Sequence, residues 1–331
     1  MKRTAWRHAA DKKAYDMTKR FLYKTVTAML YCITALSLAA CGGDDNGGSG
    51  DNGGNGNANA NDTQKSVYAQ RIEVPHVQPG NNYQLIVKYD DEIGVNYIVE
   101  WDKSKRAQRW TCWQWTKANN YKNWQRKNWD GASWNGQTWG GDPFHEETEI
   151  ESTYRSLLSD YRSSGYNRGH ICASEDRICS KNVNGQTFSL VNMQPQISGF
   201  NSGVWSNMEA KVRNWASTTT QHNGVLYVCK GGTINNVNLD GTETSGTTDM
   251  IKNRIPVPKY FFMAVLKQSS ANTFSAVAFW AEHKSDNSSV LTPYMISIDE
   301  LEARTGYDFF CNLPDNIESS VESRLNSSEW K

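Results

Sequence analysis

Net charge is the first thing this sequence lacks. Its 331 residues carry 35 Lys and Arg against 35 Asp and Glu, so the formal charge is zero. A strongly cationic surface that gathers polyanions through its overall field is thereby excluded. Proline is scarce at eight residues, which excludes collagen-like or polyproline chains. No CxxC pair occurs among the seven Cys, so a zinc ribbon is not expected. No internal repeat is found, which argues against a solenoid. The uncharged stretch 25–40 has 16 residues, short for a membrane-spanning helix. What is present is aromatic: 11% of residues, including 13 Trp, too many for a wholly disordered chain.

The zero is an average over unlike parts. Residues 1–24 hold eight basic and two acidic side chains and are followed by the uncharged run 25–40, the layout of a secretory signal. The run ends in Leu38-Ala39-Ala40-Cys41, which resembles a bacterial lipobox. That resemblance implies cleavage before Cys41, a lipid anchor on its thiol, and a bacterial cell-envelope location, periplasmic or at the cell surface. Without residues 1–40, 27 basic residues face 33 acidic ones, a net of −6. Residues 41–65 are rich in Gly, Asn and Asp and contain no aromatic, so they read as a flexible tether with a span of roughly 27 Å. Residues 66–331 then form one folded domain. Five Cys remain in it, an odd number, and an exported location permits disulfides. A local bridge between Cys172 and Cys179 is one option that spacing leaves open.

Residues 83–89 alternate as a strand does, and further strands are predicted at 95–101, 110–115, 224–229, 260–267 and 275–281. Val204, Met208, Val212 and Trp215 recur at helical spacing and predict a helix over 201–217. Residues 292–305 read as a helix or a strand-to-helix step. Strands with a few helices that do not alternate strictly indicate an α+β fold with a mixed or antiparallel sheet. Eight Trp fall between Trp101 and Trp139; they are read as core with a partly exposed loop, or as a stacking surface for bases or sugars.

Chemistry concentrates in two segments. The first is Asn167-Arg168-Gly169-His170. The second runs from Asn192-Met193-Gln194-Pro195-Gln196 to Asn201 and Glu209. A His after a turn-permitting Gly can serve as a general base near neutral pH. Asn201 offers a hard oxygen, and Glu209, eight residues on, lies two turns along the same helix. Singly, each is as compatible with a structural role.

Together these motifs, in this order and spacing, resemble the sugar-non-specific DNA/RNA endonucleases of the ββα-metal type, which include endonuclease G. The similarity covers roughly residues 97–318 and extends to Thr305-Gly306-Tyr307-Asp308-Phe309-Phe310. It implies a ββα-metal finger and a Mg²⁺-dependent endonuclease, with Mn²⁺ as the alternative metal, that cuts DNA and RNA to 5′-phosphate ends. It also implies roles for single residues. His170 would be the general base and Asn201 the direct metal ligand. Glu209 would hold water at the metal, and Asn192 would orient His170 or bind near the phosphate. Arg168 would support the site or a phosphate. An upstream Arg, Arg126 or alternatively Arg109, would neutralise transition-state charge. Asn167 stands where the family carries Asp. Two competing readings are a Trp-rich glycan-binding lipoprotein and a relative that binds nucleic acid without cutting it.

Overall fold

Runs of aromatic and β-branched residues such as Tyr260-Phe261-Phe262-Met263-Ala264-Val265-Leu266 suit a strand buried on both faces. In the computed structural model, which describes residues 57–64, 66–244 and 248–330, seven strands pair into one antiparallel sheet. They are β1 (Tyr83–Asp90), β2 (Gly94–Asp102), β3 (Ala107–Trp115), β8 (Val225–Gly232), β11 (Tyr260–Gln268), β12 (Phe274–Glu282) and β13 (Met295–Ile296), in the order β1-β2-β3-β8-β11-β12-β13. The fold is α+β. Three two-stranded ribbons complete the strands: β4 (Asp130–Trp134) with β5 (Gln137–Gly140), β6 (Asn167–His170) with β7 (Met193–Gln196), and β9 (Met250–Ile251) with β10 (Ile255–Pro256). The helices are α1 (Leu158–Tyr161), α2 (Lys181–Gln186), α3 (Ser198–Asn201), α4 (Val204–Gln221), α5 (Ile298–Thr305) and α6 (Asp315–Glu322).

Alternation along each strand divides the core in two. Leu226, Val228, Phe261, Met263 and Val265 face α4, where Val204, Trp205, Met208, Val212 and Trp215 pack. Tyr227, Cys229, Phe262, Ala264 and Leu266 face the other way, against Ile298 and Leu301 of α5 and Phe309 and Phe310. The first face carries the candidate site. The second is closed by the C-terminal helices.

The structure alters four expectations. The predicted helix at 201–217 is two pieces. Asn201 ends α3, and α4 begins at Val204 after a break at Gly203, where a Cβ would lie 2.0 Å from the Asp286 carbonyl oxygen. The Val204 N–H instead donates to that oxygen at 2.6 Å. Residues 57–64, expected to belong to the tether, pack onto the domain: the Asn61 amide is buried and donates to the carbonyls of Ala69 and Pro75, and Asn57 and Asn59 bond to Leu313 and Asp308. An Asn-rich composition lacks apolar surface, but its amides satisfy backbone groups that a core segment would otherwise leave orphaned. Cys112, Cys172, Cys179, Cys229 and Cys311 are buried free thiols, so Cys172 and Cys179 do not bridge. Six of the eight clustered Trp (Trp101, Trp110, Trp113, Trp115, Trp129, Trp134) are buried in the core, which leaves little of the cluster to act as a glycan surface. The expected signal at 1–40 and the Cys41 anchor lie outside the described residues. Among the described residues, no helix is long and apolar enough to cross a membrane.

Candidate active site

The site is built on the ribbon β6–β7 and the helices that follow it. His170 pairs with Met193, Gly169 with Gln194 and Arg168 with Pro195. Gly169 is required by close approach: a Cβ there would lie 2.3 Å from the buried Gln196 side chain. The chain then runs through α3 and the Gly203 break into α4, so two strands and a helix form one ββα unit.

This unit brings Arg168, His170, Asn201 and Glu209 to an open cleft of about 760 Å³, and Arg126 joins them from the loop before β4. Of the two upstream arginines, Arg126 is thus the one at the site. Arg109 lies elsewhere, paired with Glu100 and stacked against Tyr307. Asn167 also lines the cleft and is exposed.

Asn192 does not reach the cleft, which corrects the expectation that it binds near a phosphate. It is fully buried. Its Oδ1 accepts from the Cys172 N–H, and its Nδ2 donates to the Cys172 and Thr187 carbonyls, each at 2.8 Å. It pins the backbone two residues beyond His170, a structural support held by three satisfied bonds.

Aromatic walls define the His170 environment. Its ring lies 5.0 Å from Phe188, edge to face, and 5.6 Å from Phe144. Its Nε2 is buried without a hydrogen-bond partner among the described residues. Burial, reinforced by Arg126 and Arg168, pushes the imidazole down to about 3, so it is neutral at physiological pH. The arginines are themselves held in place. Asp142 grips Arg126 through two bonds, one from Nε at 2.8 Å, and Arg168 lies 3.7 Å over the Phe144 ring.

Beneath the cleft runs a buried ionic network that sequence reasoning missed. Lys230, fully buried on β8, reaches Asp176 at 3.3 Å and Glu209 at 3.4 Å. Arg213 bonds Asp176 at 2.8 Å, and the Lys230 ammonium lies 5.0 Å from the Trp113 ring. Burial alone would raise Asp176, but Lys230 and Arg213 together hold it below the usual carboxylate range. Glu209 ends above that range: burial drives it up, Lys230 opposes, and Asp176 adds repulsion. Arg213, four residues after Glu209, was findable from helical spacing. Asp176 and Lys230 are joined only by the fold.

The oxygen donors suit a hard divalent cation. Asn201 offers a carbonyl and Glu209 a carboxylate from adjoining helices, and no Cys lines the cleft. Few protein ligands and an open wall match a cation that keeps much of its own water.

Residues 79–316 match the sequence profile of the DNA/RNA non-specific endonucleases. The chain belongs to that family. A nuclease from Nostoc sp. is 28% identical over 241 residues, covering 70% of this chain and 77% of the relative. Nuclease C1 of Cunninghamella echinulata is 26% identical over 220 residues, covering 66% and 81%. Mitochondrial endonuclease G of Bos taurus is 28% identical over 176 residues, covering 51% and 56%. The fold resembles one chain of a solved EndoG/EndoGI complex, with a TM-score of 0.58 at 24% identity over 72% of this chain and 90% of that one. This family member is therefore a nuclease, and its substrates are nucleic acids.

Proposed function

We propose that this nuclease hydrolyses phosphodiester bonds of both DNA and RNA with Mg²⁺, leaving 5′-phosphate ends, and that it works from the bacterial cell envelope, anchored through Cys41. The observation that carries the catalytic reading is the convergence of His170, Asn201, Glu209, Arg168 and Arg126 on one cleft.

Asn201, with Glu209 beside it, would hold the metal, which when bound stabilises the charge that develops on the phosphate and its leaving oxygen. His170 takes the proton from the attacking water; its apolar walls and the two nearby guanidiniums keep it unprotonated until then. Arg126 and Arg168 meet the non-bridging phosphate oxygens and are pre-oriented by Asp142 and Phe144, so little reorganisation is needed at the reaction. Asn192 fixes the backbone that follows His170 and so keeps the ring on its track. Asn167, in place of the family's Asp, can accept a hydrogen bond through its side-chain carbonyl but contributes no charge to the metal's surroundings. The envelope reading is supported by the basic segment, the uncharged run and Leu38-Ala39-Ala40-Cys41 in that order.

Plasmid and RNA incubated with the protein in Mg²⁺ or EDTA provide the test. Wild type nicks both in Mg²⁺, EDTA stops it, and His170→Ala lowers the rate by about 10²-fold or more. The fresh ends accept label from a polynucleotide kinase only after phosphatase treatment. Metal-independent nicking, or a His170→Ala rate equal to wild type, would overturn the mechanism. Retention of nucleic acid with no cutting would identify an inactive binder instead. Incorporation of labelled palmitate that persists in Cys41→Ala would refute the anchor.

A further inference from the structure

On the face of the sheet away from the cleft, α5 and α6 bring three carboxylates together. Asp299 stands in the first turn of α5 and Glu302 three residues on, so both share one side of that helix. Glu322 closes α6. One oxygen from each lies within 4.8 Å of the other two. Such a cluster on an exposed surface would be unremarked, but Glu322 is only 5% exposed and its Oε1 has no hydrogen-bond partner among the described residues. The charges that act most strongly on it are Glu302, Glu318, Asp308 and Asp299, all acidic. A carboxylate removed from water without a donor is costly unless a proton or a cation joins it.

We propose that Asp299, Glu302 and Glu322 form a Ca²⁺ site that clips the last helix to α5 and is separate from the catalytic cleft. The donors are all hard oxygens. Oxygens on opposite sides of Ca²⁺ lie about 4.6–5.2 Å apart, so three oxygens that all lie within 4.8 Å of one another fit inside one Ca²⁺ shell. Asp299 is exposed and supplies the entry path, while Glu322 forms the closed end. Binding offsets two of three like charges and reinforces the contact between α5 and α6, which pack on the same face of the sheet through Leu301 and Val321. Water completes the coordination shell from the open side.

Thermal unfolding of the EDTA-treated full chain, titrated with CaCl₂, reads this site. Wild type and Asn201→Ala, which lacks the cleft's metal ligand, should both rise by about 3 °C at roughly ten times the dissociation constant. Glu322→Gln should weaken Ca²⁺ binding by about tenfold or more and lose that rise. Asp299→Asn, at an exposed position that folding tolerates, should do the same and decides the matter if Glu322→Gln does not fold. No Ca²⁺-dependent rise in wild type would mean that the cluster is held by shared protons, and the proposal fails. It also fails if the rise survives in Asp299→Asn, or if it disappears in Asn201→Ala.

Discussion

At the residue scale, the least replaceable side chain is one that touches no substrate. Lys230 sits fully buried between two carboxylates and two indoles, with Arg213 completing a network of two positive and two negative groups. Taking one charge out of such a set leaves the others buried and uncompensated, which costs far more than the set contributes as a whole. Lys230→Met keeps the stem and deletes the charge, so it should lower stability in urea by about 3–5 kcal/mol. It should also leave Glu209 further above the usual carboxylate range, because the cation that opposes its burial is gone, and so weaken metal binding at neutral pH. A loss below about 1 kcal/mol, or unchanged metal affinity, would show that the network is not organised by Lys230. The residues that meet the cleft were legible in the sequence because a spaced motif carries them. Lys230 and Asp176 were not, since 54 positions separate them and only the placement of β8 under the loop after β6 brings them into contact. Asn192 was legible as important but not as buried, because an amide that pins a peptide has the same motif position as one that meets a ligand.

At the element scale, legibility followed hydrophobic period. The long strands of the sheet are rich in apolar and aromatic residues over seven to nine positions and were found with boundaries close to those observed. The ribbon β6–β7 was not readable as strands, because Asn-Arg-Gly-His and Met-Gln-Pro-Gln have no apolar alternation and are held by pairing to each other. The hairpin β4–β5 did have a signal that went unread: Asn135-Gly136, both at positive φ, is the favoured two-residue turn. α6 is short and mostly polar, and is held by its packing on the sheet rather than by its own propensity. The break between α3 and α4 was invisible because apolar spacing runs on past Gly203, while the reason for the break, the Asp286 carbonyl, lies more than eighty residues away. That break sets where Asn201 points. Gly203→Ala would drive a methyl group into the Asp286 oxygen and force the two helices apart. It should cost about 1–3 kcal/mol or more, and should weaken Mg²⁺ binding while nucleic-acid retention in EDTA persists. Equal metal affinity in the variant and wild type would show that the kink does not position Asn201.

At the scale of the whole molecule, the charge balance bounds how substrate is held. Beyond residue 40 the chain is net negative by six, so no overall field draws nucleic acid in. The positive charge that matters is local. Arg126, Arg162, Arg168 and Arg213 all line the cleft, and Asp142 and Asp176 already engage two of them. Binding then releases few counterions. Each phosphate neutralised on duplex DNA contributes about −0.9 to the slope of log K against log salt. Four guanidiniums at most therefore give a slope of about −3.6, and fewer if Asp142 and Asp176 retain their partners. A binder that works through ten phosphate contacts would lose affinity far more steeply. Filter binding of His170→Ala to a short duplex across a series of KCl concentrations, in EDTA to prevent cutting, measures this slope directly. A slope steeper than about −6 would mean that phosphate contacts extend well beyond the cleft, onto a surface whose composition gives no sign of them. A shallow slope would leave affinity to the cleft itself. Arg126→Ala and Arg168→Ala would then each remove close to one unit of it, because each deletes a single phosphate contact.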